Sequence, residues 1–125
     1  MKMKHKDRWL PEPEKQDYPA AESYLSLLYD EKRAAALVRR LRAAPMTKFK
    51  AKDISRASRL PLLGVNNAHV KADQDKLLHG KPISPLLLVR RRNLAEVVIA
   101  DGYHRICAVY SIDEDAVIPC KIVSG

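Results

Sequence analysis

The residues best placed to do chemistry are Gly102, His104 and Arg105, which stand where an apolar stretch meets an amphipathic one. Residues 97–100 (VVIA) predict a strand and the pattern from Tyr103 onward predicts a helix, so Gly102 would lie at a strand-to-helix turn. Such a turn directs free backbone N–H groups and the positive end of the helix dipole toward one point. A histidine and an arginine in the first helical turn add donors that suit an anion. The sequence therefore predicts a phosphate or carboxylate site at residues 101–105.

These charged residues also have structural roles open to them. Arg105 could pair with Asp101 or with an acid near the C-terminus, and His104 could be a partly buried, hydrogen-bonded residue. Asp101 could cap the helix by accepting from the N–H of Tyr103 or His104. It could instead turn away to orient Arg105, or hold Mg²⁺ beside a bound phosphate. We favour the anion site, because the motif and the junction geometry both point to it.

Three segments resemble the ParB/sulfiredoxin superfamily, in the same order along the chain. Residues 97–110 (VVIADGYHRICAVY) resemble its strand, its turn with a Gly-x-His-Arg signature and its following helix. Residues 70–89 resemble its helix, proline-containing turn and next strand, and residues 116–123 (AVIPCKIV) resemble its closing strand. The resemblance covers residues 65–125 and implies a stand-alone ParB/sulfiredoxin-like domain with a helical N-terminal extension.

The resemblance implies a nucleotide ligand, as the Mg²⁺ complex of ATP or CTP. Its phosphates would be contacted by the signature residues, which are Asp101, Gly102, Tyr103, His104 and Arg105. A second set of contacts would come from the start of the preceding helix, where Asn66, Asn67, His69 and Lys71 stand. Lys71 is the best candidate phosphate ligand of that set. As an enzyme, the protein would be a nucleotide hydrolase or phosphotransferase, although no general base can be identified.

The cysteines and the remaining metal-ligand types predict neither thiol nor metal chemistry. Sulfiredoxins carry a reactive cysteine directly before the His-Arg pair, and this chain has Tyr103 there, so sulfinic acid repair is not expected. Cys107 and Cys120 stand in apolar patterns without metal-ligand spacing, and we expect both in the core. Serine should be tolerated less well at Cys107, on an apolar helix face. His69 and Asp73 share a helix face but lack a third ligand, so no metal site is predicted.

The charge distribution supports an alternative function, that of a non-enzymatic nucleic-acid- or protein-binding adaptor. Residues 1–92 hold 21 Lys and Arg against 10 Asp and Glu, whereas residues 93–125 hold 2 against 5. Arg39, Arg40 and Arg42 form the polar face of a predicted helix and could meet phosphates. Residues 51–78 loosely resemble a helix-turn-helix, but their connection of about eight residues exceeds the usual turn. Nucleic-acid binding is therefore expected to be weak.

The elements that would position these residues form an α+β domain with a small mixed sheet and a helical N-terminal half. Residues 1–18 predict a flexible basic arm, residues 19–64 a helical extension and residues 65–125 the core. The predicted helices start at Pro19, after the N-cap Asp30, over residues 51–58, after the N-cap Asn67 and over residues 103–112. The predicted strands are residues 83–90, 96–100 and 117–123. In the first helix, Ala20, Tyr24, Leu27 and Leu28 fall on one predicted apolar face.

Length and hydropathy bound the protein class. The 125 residues are enough for one domain, with 46% hydrophobic and 30% charged residues. No apolar run reaches the roughly 18 residues of a membrane span, and the basic N-terminus is followed by no apolar segment of a secretory signal. We therefore expect a cytoplasmic protein with no membrane partner.

Overall fold

The computed structural model describes residues 8–125, which form helices and strands in the mixed order expected of an α+β fold. None of the helices in this range is long and apolar enough to cross a membrane. Along the chain the elements are α1 (Asp17–Leu25), α2 (Glu31–Ala43), β1 (Thr47–Lys50), α3 (Ala51–Ser58), α4 (Ala68–Leu78), β2 (Leu86–Arg91), β3 (Glu96–Asp101), α5 (Tyr103–Ile112) and β4 (Val117–Ser124).

The four strands make a mixed sheet in the order β1-β4-β2-β3. β2 and β4 are parallel, while the β1–β4 and β2–β3 pairs are antiparallel. The mixed sheet was predicted, but β1 was not, because its four residues (TKFK) are mostly exposed and show no apolar alternation. Pairing with β4 makes this segment a strand, and a local pattern does not report such a tertiary contact.

Helices cover both faces of the sheet, and β2 runs between two cores. Leu86 and Leu88 face one cluster with residues of α3, α4 and α5, whereas Leu87 and Val89 face the other with α1 and α2. Because β2 is buried on both faces, it reads as an uninterrupted apolar run rather than an alternating one. This central strand fixes the position of β3, which ends directly before the predicted site.

Local signals predicted the starts of α2 to α4 well. Asp30 caps α2 by accepting the N–H of Arg33 at 2.7 Å, and the Asn67 side chain accepts from the first turn of α4. The third helix covers residues 51–58 as predicted. Gly80 adopts φ +72° just after α4, as expected for a residue that ends a helix in the left-handed conformation.

The buried face of α1 differs from the predicted one. Tyr18, Ala21 and Leu25 are buried, whereas Leu27 is 81% exposed and lies beyond the end of the helix. The helix also begins at Asp17, two residues before Pro19. The predicted face and the observed buried face both have helical spacing, so tertiary packing determines which one is buried. Tyr18, Ala21 and Leu25 pack in one buried cluster with α2, and the Arg42 guanidinium lies 4.5 Å from the centroid of the Tyr18 ring.

The described part of the predicted arm, residues 8–18, is held against the domain. Trp9 is buried and forms a parallel bridge with Ile83, and the backbones of Arg8 and Leu10 exchange hydrogen bonds of 2.9 Å with Ile83. The Arg8 guanidinium also donates to the Leu77 carbonyl at the end of α4. Residues 1–7 of that arm lie outside the described residues. We call residues 8–16 the N-terminal strap.

Candidate functional site

The junction between β3 and α5 has the predicted order of strand, glycine and helix. Gly102 is the N-cap residue with φ +113° and ψ 16°, a conformation that L side chains rarely adopt. A Cβ atom at this position would lie 2.7 Å from Leu86 Cγ. Glycine is therefore required both by the backbone conformation and by the close approach of β2.

Asp101 pairs with Arg105, which is the structural role considered for Arg105, and it thereby orients the guanidinium instead of capping α5. Its Oδ2 accepts from Arg105 Nη2 at 2.9 Å, and the two side chains are only 17% and 16% exposed. Arg105 Nη2 also donates to the Pro85 carbonyl at 3.3 Å, while the buried Arg105 Nε has no hydrogen-bond partner within residues 8–125. The N-cap residue Gly102 has no side chain to cap α5, and Asp101 directs its carboxylate to Arg105. The first-turn amides of α5 are therefore not taken up by Asp101.

The surroundings of Asp101 disfavour its charged form. Burial raises the pKa of Asp101 above its usual value, the nearby Asp17 carboxylate raises it further, and the Arg105 guanidinium only partly offsets both. Asp17 is buried at the start of α1, where its Oδ2 accepts the N–H of Glu14 at 2.8 Å. The Asp101–Arg105 pair thus lies beside a second acid that sequence analysis did not associate with the site.

The α5 N-terminus lines a cleft of about 310 Å³ between α4 and α5. Its walls are His69, Ala72, Asp73 and Lys76 from α4, together with residues 101–105. The His69 and His104 rings lie 4.9 Å apart between centroids and are tilted by 39°. The cleft therefore combines helix-terminal amides, two imidazoles and a lysine.

Of the two lysines on α4, the cleft contains Lys76 and not the predicted Lys71. Lys71 is 61% exposed and forms an ion pair with Asp75 at 3.6 Å. His69, Asp73 and Lys76 follow at i, i+4 and i+7 and so share one helix face, whereas Lys71 at i+2 falls on another. Because residues seven apart share a helix face, the position of His69 in the sequence already indicated that Lys76 lies on the same face.

Asn67 and Tyr103 hold the walls of the cleft in place. Asn67 Oδ1 accepts the N–H groups of His69 at 3.0 Å and Val70 at 3.2 Å, so its side chain is the cap of α4. The Tyr103 hydroxyl donates to the Pro61 carbonyl and ties the α3–α4 connection to α5. Burial, with a smaller effect of Cys107, raises the pKa of Tyr103. Tyr103 lines the cleft, whereas Asn67 does not.

Both cysteines lie in the core, as predicted. Cys107 is buried, its Sγ accepts from the N–H of Leu63 at 3.5 Å, and burial raises its pKa. Burial alone raises the pKa of Cys120 to about 12. Neither thiol therefore has thiolate character at neutral pH.

The N-terminal strap brings a further acid near the basic groups of the cleft. Glu14 Oε1 accepts from the Ser84 hydroxyl at 2.9 Å, and Oε2 accepts from Gln16 Nε2 at 2.9 Å. These two hydrogen bonds lower the pKa of Glu14, and the charges of Arg105 and Lys76 add to the effect. Glu14 and Ser84 stand 70 residues apart, so no local pattern could have indicated the contact.

Two of the predicted basic-face arginines are engaged within the chain. Arg40 Nη1 donates to the Ser124 carbonyl at 2.7 Å, and Arg42 stacks on Tyr18. The buried Lys121 donates to the Arg42 carbonyl at 2.8 Å, near the end of α2. The helices α3 and α4 are separated by residues 59–67, which do not form the short turn of a helix-turn-helix. Weak binding of nucleic acid by this surface stays a prediction.

Within residues 8–125, no group of three His, Cys, Asp or Glu side chains could hold a metal ion. No protein-family model, curated protein or solved structure matches the chain significantly. The resemblance of residues 65–125 to the ParB/sulfiredoxin superfamily therefore stays a prediction.

Proposed function

We propose that the cleft between α4 and α5 binds the phosphate of a nucleotide or of another phosphate-bearing small molecule. The observation that carries the proposal is the uncapped first turn of α5, which lines the cleft together with Lys76. Free N–H groups at a helix N-terminus, with the positive end of the dipole behind them, favour an anion. The ParB/sulfiredoxin assignment belongs to this proposal, because the signature that resembles that superfamily coincides with residues 101–105.

The side chains around the α5 amides fit a phosphate. Lys76 supplies a mobile cation, and His69 and His104 supply ring nitrogens that can donate hydrogen bonds to oxygen. Arg105 acts from the floor of the cleft, where Asp101 fixes its guanidinium. A magnesium nucleotide would bring its ion on the phosphates, and Asp73 in the same cleft could give that ion an oxygen ligand.

The two lysines of α4 provide a matched test by calorimetric titration with ATP, CTP and inorganic phosphate, with and without Mg²⁺. Lys76→Ala removes a cation of the cleft, whereas Lys71→Ala removes the same charge from the same helix outside it. A charge-assisted contact of about 1.5 kcal/mol corresponds to about tenfold in affinity, so Lys76→Ala should weaken binding by about that factor. Lys71→Ala should leave the affinity within about twofold.

Two results would contradict the proposal. If both variants lose affinity equally, the protein attracts phosphate only through its general positive charge. If none of the three ligands binds to the folded wild-type protein, the cleft is not a phosphate site.

A further inference from the structure

A separate pocket lies under α3, on the face of the sheet that carries Leu88. All four strands and α3 contribute to its volume of about 210 Å³, and it shares no residue with the cleft between α4 and α5. Its apolar lining consists of Phe49, Ile54, Ala57, Leu88, Val97 and Ile122. An apolar cavity of about 150 Å³ is known to hold a benzene ring, so this pocket has room for one aromatic or branched aliphatic side chain.

Two opposite charges line the same pocket without pairing with each other. Arg90 and Asp53 are its charged residues, and no salt bridge joins them in the described part of the chain. Among the described residues, Asp53 forms a single ion pair, with Arg56 at 3.6 Å, and Arg90 forms none. The next residue, Arg91, is instead paired with Glu96 at 3.3 Å. Arg90 and Asp53 are thus available to a ligand.

We propose that this pocket binds a free amino acid with an apolar side chain. The side chain would fill the apolar volume, the α-carboxylate would meet Arg90 and the α-ammonium would meet Asp53. A simple carboxylate would be attracted by Arg90 but repelled by Asp53, and a simple amine would suffer the reverse. Only a zwitterion is complementary to both groups, so Arg90 and Asp53 together favour an amino acid over a simple carboxylate or a simple amine.

The test uses phenylalanine and leucine as probes, titrated by calorimetry and by amide NMR shifts of the whole chain. Three analogues remove one feature each: 3-phenylpropanoate lacks the ammonium, 2-phenylethylamine lacks the carboxylate, and glycine lacks the side chain. We expect phenylalanine or leucine to bind, with shifts at Val97 and Ile122, and every analogue to bind at least about tenfold more weakly. Arg90→Gln should weaken binding by a similar factor, whereas Arg92→Gln, an exposed position outside the pocket, should not.

Several results would overturn the assignment. They are equal affinity for 3-phenylpropanoate and phenylalanine, shifts centred on His104 and Lys76 instead of the pocket, and absence of binding by both amino acids up to about 10 mM. Should Arg90→Gln fail to fold, the analogue series decides the question on the wild-type protein. None of these results depends on phosphate binding in the other cleft, so the two proposals fail independently.

Discussion

Replacing Gly102 with alanine should be far more destabilising than the same change at Gly80. Both glycines have positive φ, +113° and +72°, and both substitutions therefore strain an L residue by about 1–2 kcal/mol. At Gly80 the new Cβ meets no atom within 4 Å, so strain is the whole cost. At Gly102 it would lie 2.7 Å from Leu86 Cγ and 2.9 Å from Arg105 Nη2. Forcing a methyl group into a packed core adds about 1–3 kcal/mol.

The expected loss is thus about 2–5 kcal/mol for Gly102→Ala and about 1–2 kcal/mol for Gly80→Ala. Urea denaturation of both variants and the wild type measures these values, and unchanged m-values would show that the folded and unfolded states are comparable. Phosphate binding should also weaken in Gly102→Ala, because Leu86 can make room only if the start of α5 moves. Equal losses in the two variants would refute the close packing that we assign to this junction.

Further predictions concern Asp101, the cysteines and nucleic acid. Since folding raises the pKa of Asp101, the folded protein holds this proton more tightly than the unfolded chain. The stability of the wild type relative to Asp101→Asn should therefore be greatest below the ordinary pKa of 3.8 and decline as pH rises through the folded-state pKa. Urea denaturation across a pH series measures this dependence, and the opposite sign would contradict the prediction. The structure suggests the opposite order for the two serine variants. Cys120→Ser should lower the free energy of unfolding by about 1–3 kcal/mol, and by more than Cys107→Ser, because a hydroxyl at position 107 could accept from the N–H of Leu63. Thermal unfolding of both variants tests this order. Binding to duplex DNA should be indifferent to sequence, with a Kd of about 10⁻⁴ to 10⁻⁶ M at physiological salt. If fluorescence-anisotropy titrations show nanomolar, sequence-selective binding, the adaptor function is favoured instead.

Elements with a local signal were predictable from the sequence. Asp30 and Asn67 carry side chains that cap helices, and Gly80 and Gly102 occur where the backbone needs a positive φ. Each of these signals acts within a few residues of itself, so it is visible without knowledge of the fold. This explains why the α5 junction was located correctly, and why the starts of α2 to α4 agree with those observed.

Features set by long-range contacts were not predictable in the same way. β1 exists because it pairs with β4, about 70 residues away, and α1 buries Tyr18 in a core cluster shared with α2, where Arg42 stacks on its ring. The N-terminal strap brings Glu14 near Arg105, and the start of α1 brings Asp17 near Asp101; the charged, proline-containing sequence of residues 8–17 did not suggest either contact. Lys76 is a different case, because helix phase alone would have placed it with His69.

The charge balance of the α4–α5 cleft indicates how the cleft would select its ligand. Asp101 neutralises Arg105, and Asp73 opposes Lys76, so the charged side chains that line the cleft nearly cancel. Glu14 adds negative charge close to both cations. An anion would therefore gain little from net charge, and its binding would depend on directed contacts with the α5 amides, the two imidazoles and Lys76. Such a site should discriminate by the shape and hydrogen-bond geometry of the anion, because an equally charged ligand of the wrong geometry cannot reach those donors.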